Sequence, residues 1–401
     1  MTRQPFLKST TLPTLLSTID TAKFVDIRRQ LHAYPELGFE VGATSKLVAS
    51  LLAEWGYQVH TGIGRSGVVA QMKQGSSARR LGIRADMDAL PIREATGLPY
   101  ASKWDGRMHA CGHDGHTAIL LAAAKALADS RGFDGTLNLI FQPDEENLCG
   151  ARAMIEDGLF ERFPCDAVFA LHNMPGLAAG KFRVVAGPVS LSSDVADVTV
   201  RGVGGHGAIP HRTRDPVVAA AAIVTALQTV VSRNVAPGDT AVVSVGFIQG
   251  GTTHNVIPES VRLGLNVRAA KPETRALLEQ RIREIVCLTA QAHGVEAQLD
   301  YRALTPPMIN SEAETRFAQE ICAGLVGAGN VITQVPGSLG GSEDFAWMLS
   351  EVPGCYLILG NGEGESGGCM VHNPGYDFND EVLPLGAACW VAITQNYLAT
   401  P

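Results

Sequence analysis

The sequence predicts an α/β fold: a mixed, largely parallel sheet with helices on both faces, interrupted by an inserted ferredoxin-like α+β (βαββαβ) domain. Three observations predict it. From Lys23 to Leu171 helical periodicity alternates with short apolar runs, as in sheets whose strands are buried between helices. From Asp194 to Tyr301 the order becomes β-α-β-β-α-β, a unit that closes its own compact sheet. Beyond it the α/β alternation resumes, and 401 residues suffice for two domains at about 100 to 200 residues each.

Helices at Lys23–Ala33 and Val41–Trp55 precede strands at Tyr57–Thr61 and Val68–Met72. Apolar strands follow at Leu81–Ala85, Thr136–Phe141 and Ala167–Leu171, with a long apolar helix over Thr117–Ala128. In the insertion, Asp194–Val203 is a strand, and Asp215 before Pro216 reads as an N-cap followed by proline in the first helical position, opening a helix to Ser232. Strands Thr240–Ile248 and Ser260–Ala269, a helix over Pro272–Ala292 and a strand over Val295–Tyr301 complete it. The remainder reads as Glu312–Leu325, Val331–Val335, Ser342–Ser350, Cys355–Leu359 and Glu381–Leu398. Residues 1–190 with 304–401 are expected to form one discontinuous domain, and 191–303 the insertion.

Composition excludes several classes. Hydrophobic residues are 46% and charged residues 18%, enough apolar surface to offset the entropy of ordering the chain. Thirty-two basic against 40 acidic residues leave a net charge of −8 with the basic ones scattered, so no nucleic acid partner is expected. Eight irregularly spaced cysteines suit a reducing compartment, the cytoplasm. Arg3 and Lys8 precede Leu12–Ile19, but Pro, Thr and Ser break that stretch, so no signal peptide is read. The apolar run Pro216–Val231 falls short of the ~20 residues that span a bilayer; it reads as a buried helix, with no membrane partner.

Two motifs mislead. Gly62-Ile63-Gly64-Arg65-Ser66-Gly67 fits a dinucleotide fingerprint, but the β-rich Val68–Met72 follows where a helix must start, so it reads as a hairpin turn. Gly364-Glu365-Ser366-Gly367-Gly368 fits G-x-S-x-G without the strand-to-helix elbow that would expose a nucleophilic Ser366.

The run Met108–His116 packs a thiol, three imidazoles and a carboxylate into a turn before the Thr117 helix. Cys111 and His113, two residues apart at a helix N-terminus, suit a divalent metal; a capping turn with a buried free cysteine is the plain alternative. Strand ends favour the metal. Asp86-Met87-Asp88, Asp144-Glu145-Glu146, His172-Asn173 and, through a loop, His372-Asn373 all follow predicted strands, and sites in open parallel sheets form outside the carboxyl ends of strands. Of two adjacent glutamates, one can bind metal while the other takes a proton from a metal-activated water and passes it to a leaving amine. Amide hydrolysis is the natural chemistry.

On these residues the chain resembles the hippurate hydrolase and indole-3-acetyl-amino-acid hydrolase branch of the dinuclear aminoacylase/carboxypeptidase metallopeptidases. The likeness spans nearly the whole chain. It rests on Arg28–His32 with Pro35-Glu36, Arg84–Pro91, His109–His116, Gln142–Glu146, Leu171–Asn173, Gly204–His206, Asn255–Pro258, Ser342–Phe345 and His372–Pro374. The resemblance implies Cys111, His113, Glu146, His172 and His372 as ligands of two divalent ions, zinc or manganese, with Glu145 as general base and acid and Asp88 orienting a ligand. It implies that residues 191–303 form a lid and dimerisation domain, in which His206, Asn255 and Arg268 meet the substrate carboxylate or the tetrahedral intermediate, His206 acting in a partner protomer's site of a homodimer. One departure is Asn147-Leu148-Cys149-Gly150, larger than the glycine-rich stretch usual there.

The expected function is metal-dependent cleavage of N-acyl amino acids. A dipeptidase or aminopeptidase is the nearest rival. A catalytically silent binding protein is the rival from another class, and it would have no need of Glu145 beside the ligand Glu146.

Overall fold

A computed structural model of the protein describes residues 11–334, 341–364 and 367–399. In chain order the main elements are helices α1 (Thr21–Ala33) and α2 (Gly42–Glu54), strands β1 (Gln58–Ile63), β2 (Gly67–Gln74) and β3 (Arg80–Asp86), α3 (His113–Ser130), β4 (Gly135–Gln142), β5 (Ala167–Pro175) and β6 (Phe182–Arg183). Then come β7 (Ser193–Arg201), β8 (Gly205–His206), α4 (Pro216–Asn234), β9 (Ala241–Gln249), β10 (Val256–Ile257), β11 (Ser260–Ala269), α5 (Pro272–Ala292) and β12 (Glu296–Thr305). The chain returns through α6 (Glu312–Val326), β13 (Val331–Ile332), β14 (Gly354–Gly362) and α7 (Leu383–Tyr397).

Two compact units result, one of Met1–Gly187, Ile309–Pro336 and Trp347–Pro401, the other of Pro188–Met308 and Gly337–Ala346. The first holds an eight-stranded sheet in the order β1-β2-β4-β3-β5-β14-β6-β13. Its centre, β4-β3-β5-β14, is parallel, with antiparallel β1-β2, β2-β4 and β14-β6 pairs toward the edges. Buried on both faces, the parallel strands read as continuous apolar runs. Helix α3 is buried nearly all round, which its alanine-rich sequence permits by letting neighbours approach closely. The Gly62–Gly67 segment is the β1-β2 hairpin, with Ile63 opposite Gly67, as the absence of a following helix predicts. Glu365 and Ser366 of the second misleading motif, and Val335 at the end of a predicted strand, lie outside the described residues.

The second unit is the ferredoxin-like arrangement the order of elements predicts: a wholly antiparallel sheet, β9-β11-β7-β12, with α4 and α5 packed on it. Asp215 caps α4, its carboxylate accepting from Val217 N–H at 2.8 Å. The expectation of a buried helix here is corrected. A single sheet covers one face, so Ala219, Ala220, Ile223, Leu227 and Val230 are buried while Val217 and Val218 stay 41% and 57% exposed. By length and composition alone this helix could cross a membrane; its inward stripe instead forms a core with β7 and β11.

Candidate metal centre

Because β3, β4, β5 and β14 run parallel, their carboxyl ends share one edge of the sheet. β3 ends at Asp86, two residues before Asp88, and the chain leaving β4 turns sharply through Asp144 (φ +54°), a left-handed conformation that aspartate tolerates. Asp144 O accepts from Gly150 N–H at 3.0 Å, and a Cβ on Gly150 would collide with Pro143 O, so the turn requires glycine there. Within it, Glu145 and Glu146 donate their backbone N–H groups to the two oxygens of Asp88, at 3.0 and 3.1 Å. Asn147 Nδ2 donates to Asp144 Oδ1 at 2.5 Å, which commits the amide that departs from the glycine-rich pattern to bracing this turn.

Two local predictions are corrected. The run from His113 is not a turn before the helix: Gly112, at φ +92°, caps the start of α3 and His116 N–H bonds back to Gly112 O at 3.0 Å, so His113 and His116 lie in the first helical turn. His172 and Asn173 do not follow β5 but lie inside it, because pairing with β14 continues to Pro175.

Within this unit the five expected ligands converge. Donor atoms of Cys111, His113 and His172 lie within 4.8 Å of one another, as do those of Cys111, Glu146 and His372, and of His113, Glu145 and Glu146. Cys111 Sγ is 3.3 Å from His172 Nε2, and Glu146 Oε2 is 3.5 Å from His372 Nε2. His172 Nδ1–H donates to Asn173 O at 2.5 Å, leaving the Nε2 lone pair to face the thiol. His113 turns Nδ1 toward Asp88 (3.4 Å) and Nε2 toward Glu145 and Glu146, 3.9 Å from each. His372 is held at φ +63° by its N–H bond to Ala110 O at 2.7 Å.

These groups fit divalent metal. Both ring nitrogens of His113 and Oε1 of Glu146 are buried without a hydrogen-bond partner among the described residues, an arrangement that is costly unless something else meets them. Burial pushes the Cys111 thiol well above its ordinary value, and the Glu146 carboxylate adds to the shift. Burial lifts Glu146 to about 7 against the pull of His113. For His113, burial is outweighed by Asp86 and Cys111, so its pKa stands well above the ordinary value. Burial and the neighbouring His116 hold His172 well below the ordinary value, neutral as a ligand must be.

The three imidazoles of the Met108–His116 run part company. His113 joins the donor cluster. His116 donates Nδ1–H to Asp86 Oδ1 at 2.6 Å and turns Nε2 to Asn173. His109 is buried with neither nitrogen hydrogen-bonded among the described residues, and burial drops it to about 4. Sequence reasoning missed Tyr376, fully buried and hydrogen-bonded to Asn173; a tyrosine four residues past His372 carries no signal of that contact.

The other three expected residues belong to the second unit. His206 pairs across β8-β10 with Val256, beside Asn255, whose backbone O accepts from Gly207 N–H at 2.8 Å. Ala208 N–H donates to His206 Nδ1 at 3.0 Å, so the neutral ring carries its proton on Nε2, and the residue is exposed. Arg268, on β11, donates to Ser193 Oγ and has no salt-bridge partner among the described residues; burial lowers its pKa although Asp194 raises it.

Fold and donor cluster together are those of a divalent-metal hydrolase. Residues 82–396 match the model of peptidase family M20/M25/M40, and the chain belongs to this family. It is 45% identical over 377 residues to the hippurate hydrolase of Campylobacter jejuni, covering 94% of this chain and 97% of that one. It is 38% identical over 378 residues to an N-acetyl-L-cysteine deacetylase of Bacillus subtilis, 94% and 88% of the two chains. Among solved structures, a dinuclear metal-binding peptidase of the M20 family from Bacillus subtilis superposes with a TM-score of 0.81 at 32% identity, covering 95% of this chain and 99% of that one.

Proposed function

We propose that the protein is a cytoplasmic, homodimeric amidohydrolase that cleaves N-acyl amino acids, hippurate-like or carrying other aryl or alkyl acyl groups, with two zinc or manganese ions per protomer. The observation that carries this reading is the glutamate pair, which Asp88 holds by both backbone N–H groups while Glu146 reaches His372 and both carboxylates reach His113. Cys111, His113, Glu146, His172 and His372 would hold the ions, which when bound supply positive charge that polarises the amide carbonyl and acidifies a water. Asp88 holds the turn bearing the glutamates and, 3.4 Å from His113 Nδ1, would orient that ring as a ligand. Glu145 takes a proton from the attacking water and delivers it to the departing nitrogen. Relatives named for hydrolysing acylated amino acids favour this substrate class over free peptides. A dipeptidase would hold a free ammonium, so comparing N-acyl with free-amine substrates separates the two.

In this reading residues 1–190 and 304–401 are the catalytic domain and 191–303 the lid and dimerisation domain. Support for a dimer comes from surface left open in the second unit. Along the outer edge of β9 no strand pairs among the described residues, Val242 and Ile248 are 38% and 53% exposed, and the adjoining α4 exposes Val217 and Val218; such an edge is a template for a second strand. His206, exposed and with Nδ1 taken up by Ala208 N–H, would donate from Nε2–H to the developing oxyanion in the partner's site, a contribution on the order of 10² to 10³ in turnover. Mixing inactive His206→Ala and Glu145→Gln protomers under subunit exchange is expected to restore activity. No recovery despite verified exchange would place His206 in its own protomer's site or outside catalysis.

Arg268 is proposed to clamp the substrate α-carboxylate, with Asn255 beside His206 as a further substrate contact. An unsalted, half-buried guanidinium offers a fork matched to a carboxylate. The test is kcat/KM for an N-acyl amino acid against its C-terminal amide. Wild type is expected to disfavour the amide by about 10-fold or more, and Arg268→Ala to lose that preference. Equal rates in wild type, or undiminished discrimination in the variant, would assign the carboxylate to another residue.

A further inference from the structure

We propose that Tyr376 and Asn173 are positioning residues for the metal centre, the end of a buried strut, Tyr376–Asn173–His116–Asp86–Arg84, that ties together the segments bearing its ligands. The inference rests on the ligand assignment above. Asn173 follows ligand His172, Tyr376 closes the turn after ligand His372 by donating its N–H to Asn373 O at 2.9 Å, and Gly112 separates ligands Cys111 and His113. These three segments meet at one point: Asn173 Nδ2 donates to Tyr376 Oη at 2.6 Å, and a Cβ at Gly112 would collide with both Tyr376 Oη and Asn173 Oδ1.

From there the strut runs inward. His116 Nε2 meets Asn173 at its backbone N–H (3.1 Å) and at Oδ1 (2.8 Å), so a neutral ring accepts from the first and a protonated ring donates to the second. Nδ1–H goes to Asp86 Oδ1, whose other oxygen accepts from Arg84 Nη1 at 2.6 Å, while Arg84 Nε donates to Gln142 Oε1 at 2.8 Å on the next strand. Tyr376, Asn173, Asp86, His116 and Arg84 are all buried to 2% exposure or less. A buried polar network of this kind holds one geometry only while every member keeps its partner. With phenylalanine at 376, Asn173 Nδ2 loses its acceptor, its amide is released to reorient, and Oδ1 no longer braces His116.

Tyr376→Phe tests the strut by deleting one oxygen. Tyr57→Phe is the matched control, since it too removes a buried hydroxyl, one that donates to Ala124 O at 2.8 Å farther along α3. Mn²⁺ binding to the metal-stripped full-length protein is followed by calorimetry, and the Mn²⁺ electron paramagnetic resonance spectrum of the loaded form is recorded. Both variants should unfold at a somewhat lower temperature. Only Tyr376→Phe is expected to weaken Mn²⁺ binding, by about 10- to 100-fold as for other groups that orient ligands, and to alter the spectrum. Wild-type affinity and spectrum in Tyr376→Phe, or equal weakening in Tyr57→Phe, would overturn the strut. Wild-type protein that binds neither Mn²⁺ nor Zn²⁺ would instead overturn the ligand assignment.

Discussion

Chelation is expected to abolish hydrolysis, and two divalent ions per protomer to restore it. Five donors, among them a thiolate and a carboxylate each able to bridge, suit a pair of ions better than one. The protein without metal also carries the wrong protons for its geometry. Cys111 holds its proton because burial and the nearby carboxylates disfavour the thiolate, and Glu146 is raised to about 7 by burial. Metal uptake must displace these protons, so affinity should fall as pH drops through neutrality. Elemental analysis after reconstitution gives the stoichiometry, and metal titrations at several pH values, with proton release recorded in buffers of different ionisation enthalpy, give the linkage. Full activity with one equivalent or none would sink the dinuclear reading. Affinity indifferent to pH would remove Cys111 or Glu146 from the ligand set.

Part of the donor cluster is legible in the sequence because parallel strands bring their carboxyl ends to one edge, which gathers Asp88, the glutamate pair and His172, whereas Cys111, His113 and His372 are carried there by the start of α3 and by loops. That reasoning depends on strand direction and not on exact boundaries. It survives the finding that His172 lies within β5 and His113 within α3. The ferredoxin-like unit is legible for a similar reason, since element order and the Asp215 cap are local signals. What is not legible is how buried polar groups divide their partners. Spacing from Cys111 singles out His113, but only packing shows that His109 is left without a hydrogen-bond partner among the described residues and that His116 is braced on Asp86. Asn147 is bound by its amide to Asp144 of the same turn, which spacing alone does not reveal because it depends on the positive φ of Asp144. The apolar composition of α4 likewise suggests full burial, whereas a single sheet leaves one of its faces uncovered.

Glu145→Gln is expected to keep the fold and the metal while lowering turnover by roughly 10² to 10⁴, the usual worth of a positioned general base. The substitution is nearly isosteric and retains the backbone N–H that Glu145 gives to Asp88, so the turn after β4 should stay in place. It removes the group that can hold a proton between the attacking water and the leaving nitrogen. Glu146→Gln should behave differently. Glu146 Oε2 lies 3.5 Å from His372 Nε2, and the residue shares a donor cluster with Cys111 and His372, so a neutral amide there weakens metal binding first and activity as a consequence. The two are told apart by measuring metal content and kcat on the same preparations. Glu145→Gln should be metal-replete and slow, with KM little changed; Glu146→Gln should be metal-depleted, with activity partly recovered by excess metal. If the phenotypes are exchanged, the roles within the pair are exchanged too. If Glu145→Gln turns over at the wild-type rate, the proton is carried by another group and Glu145 serves only to shape the turn.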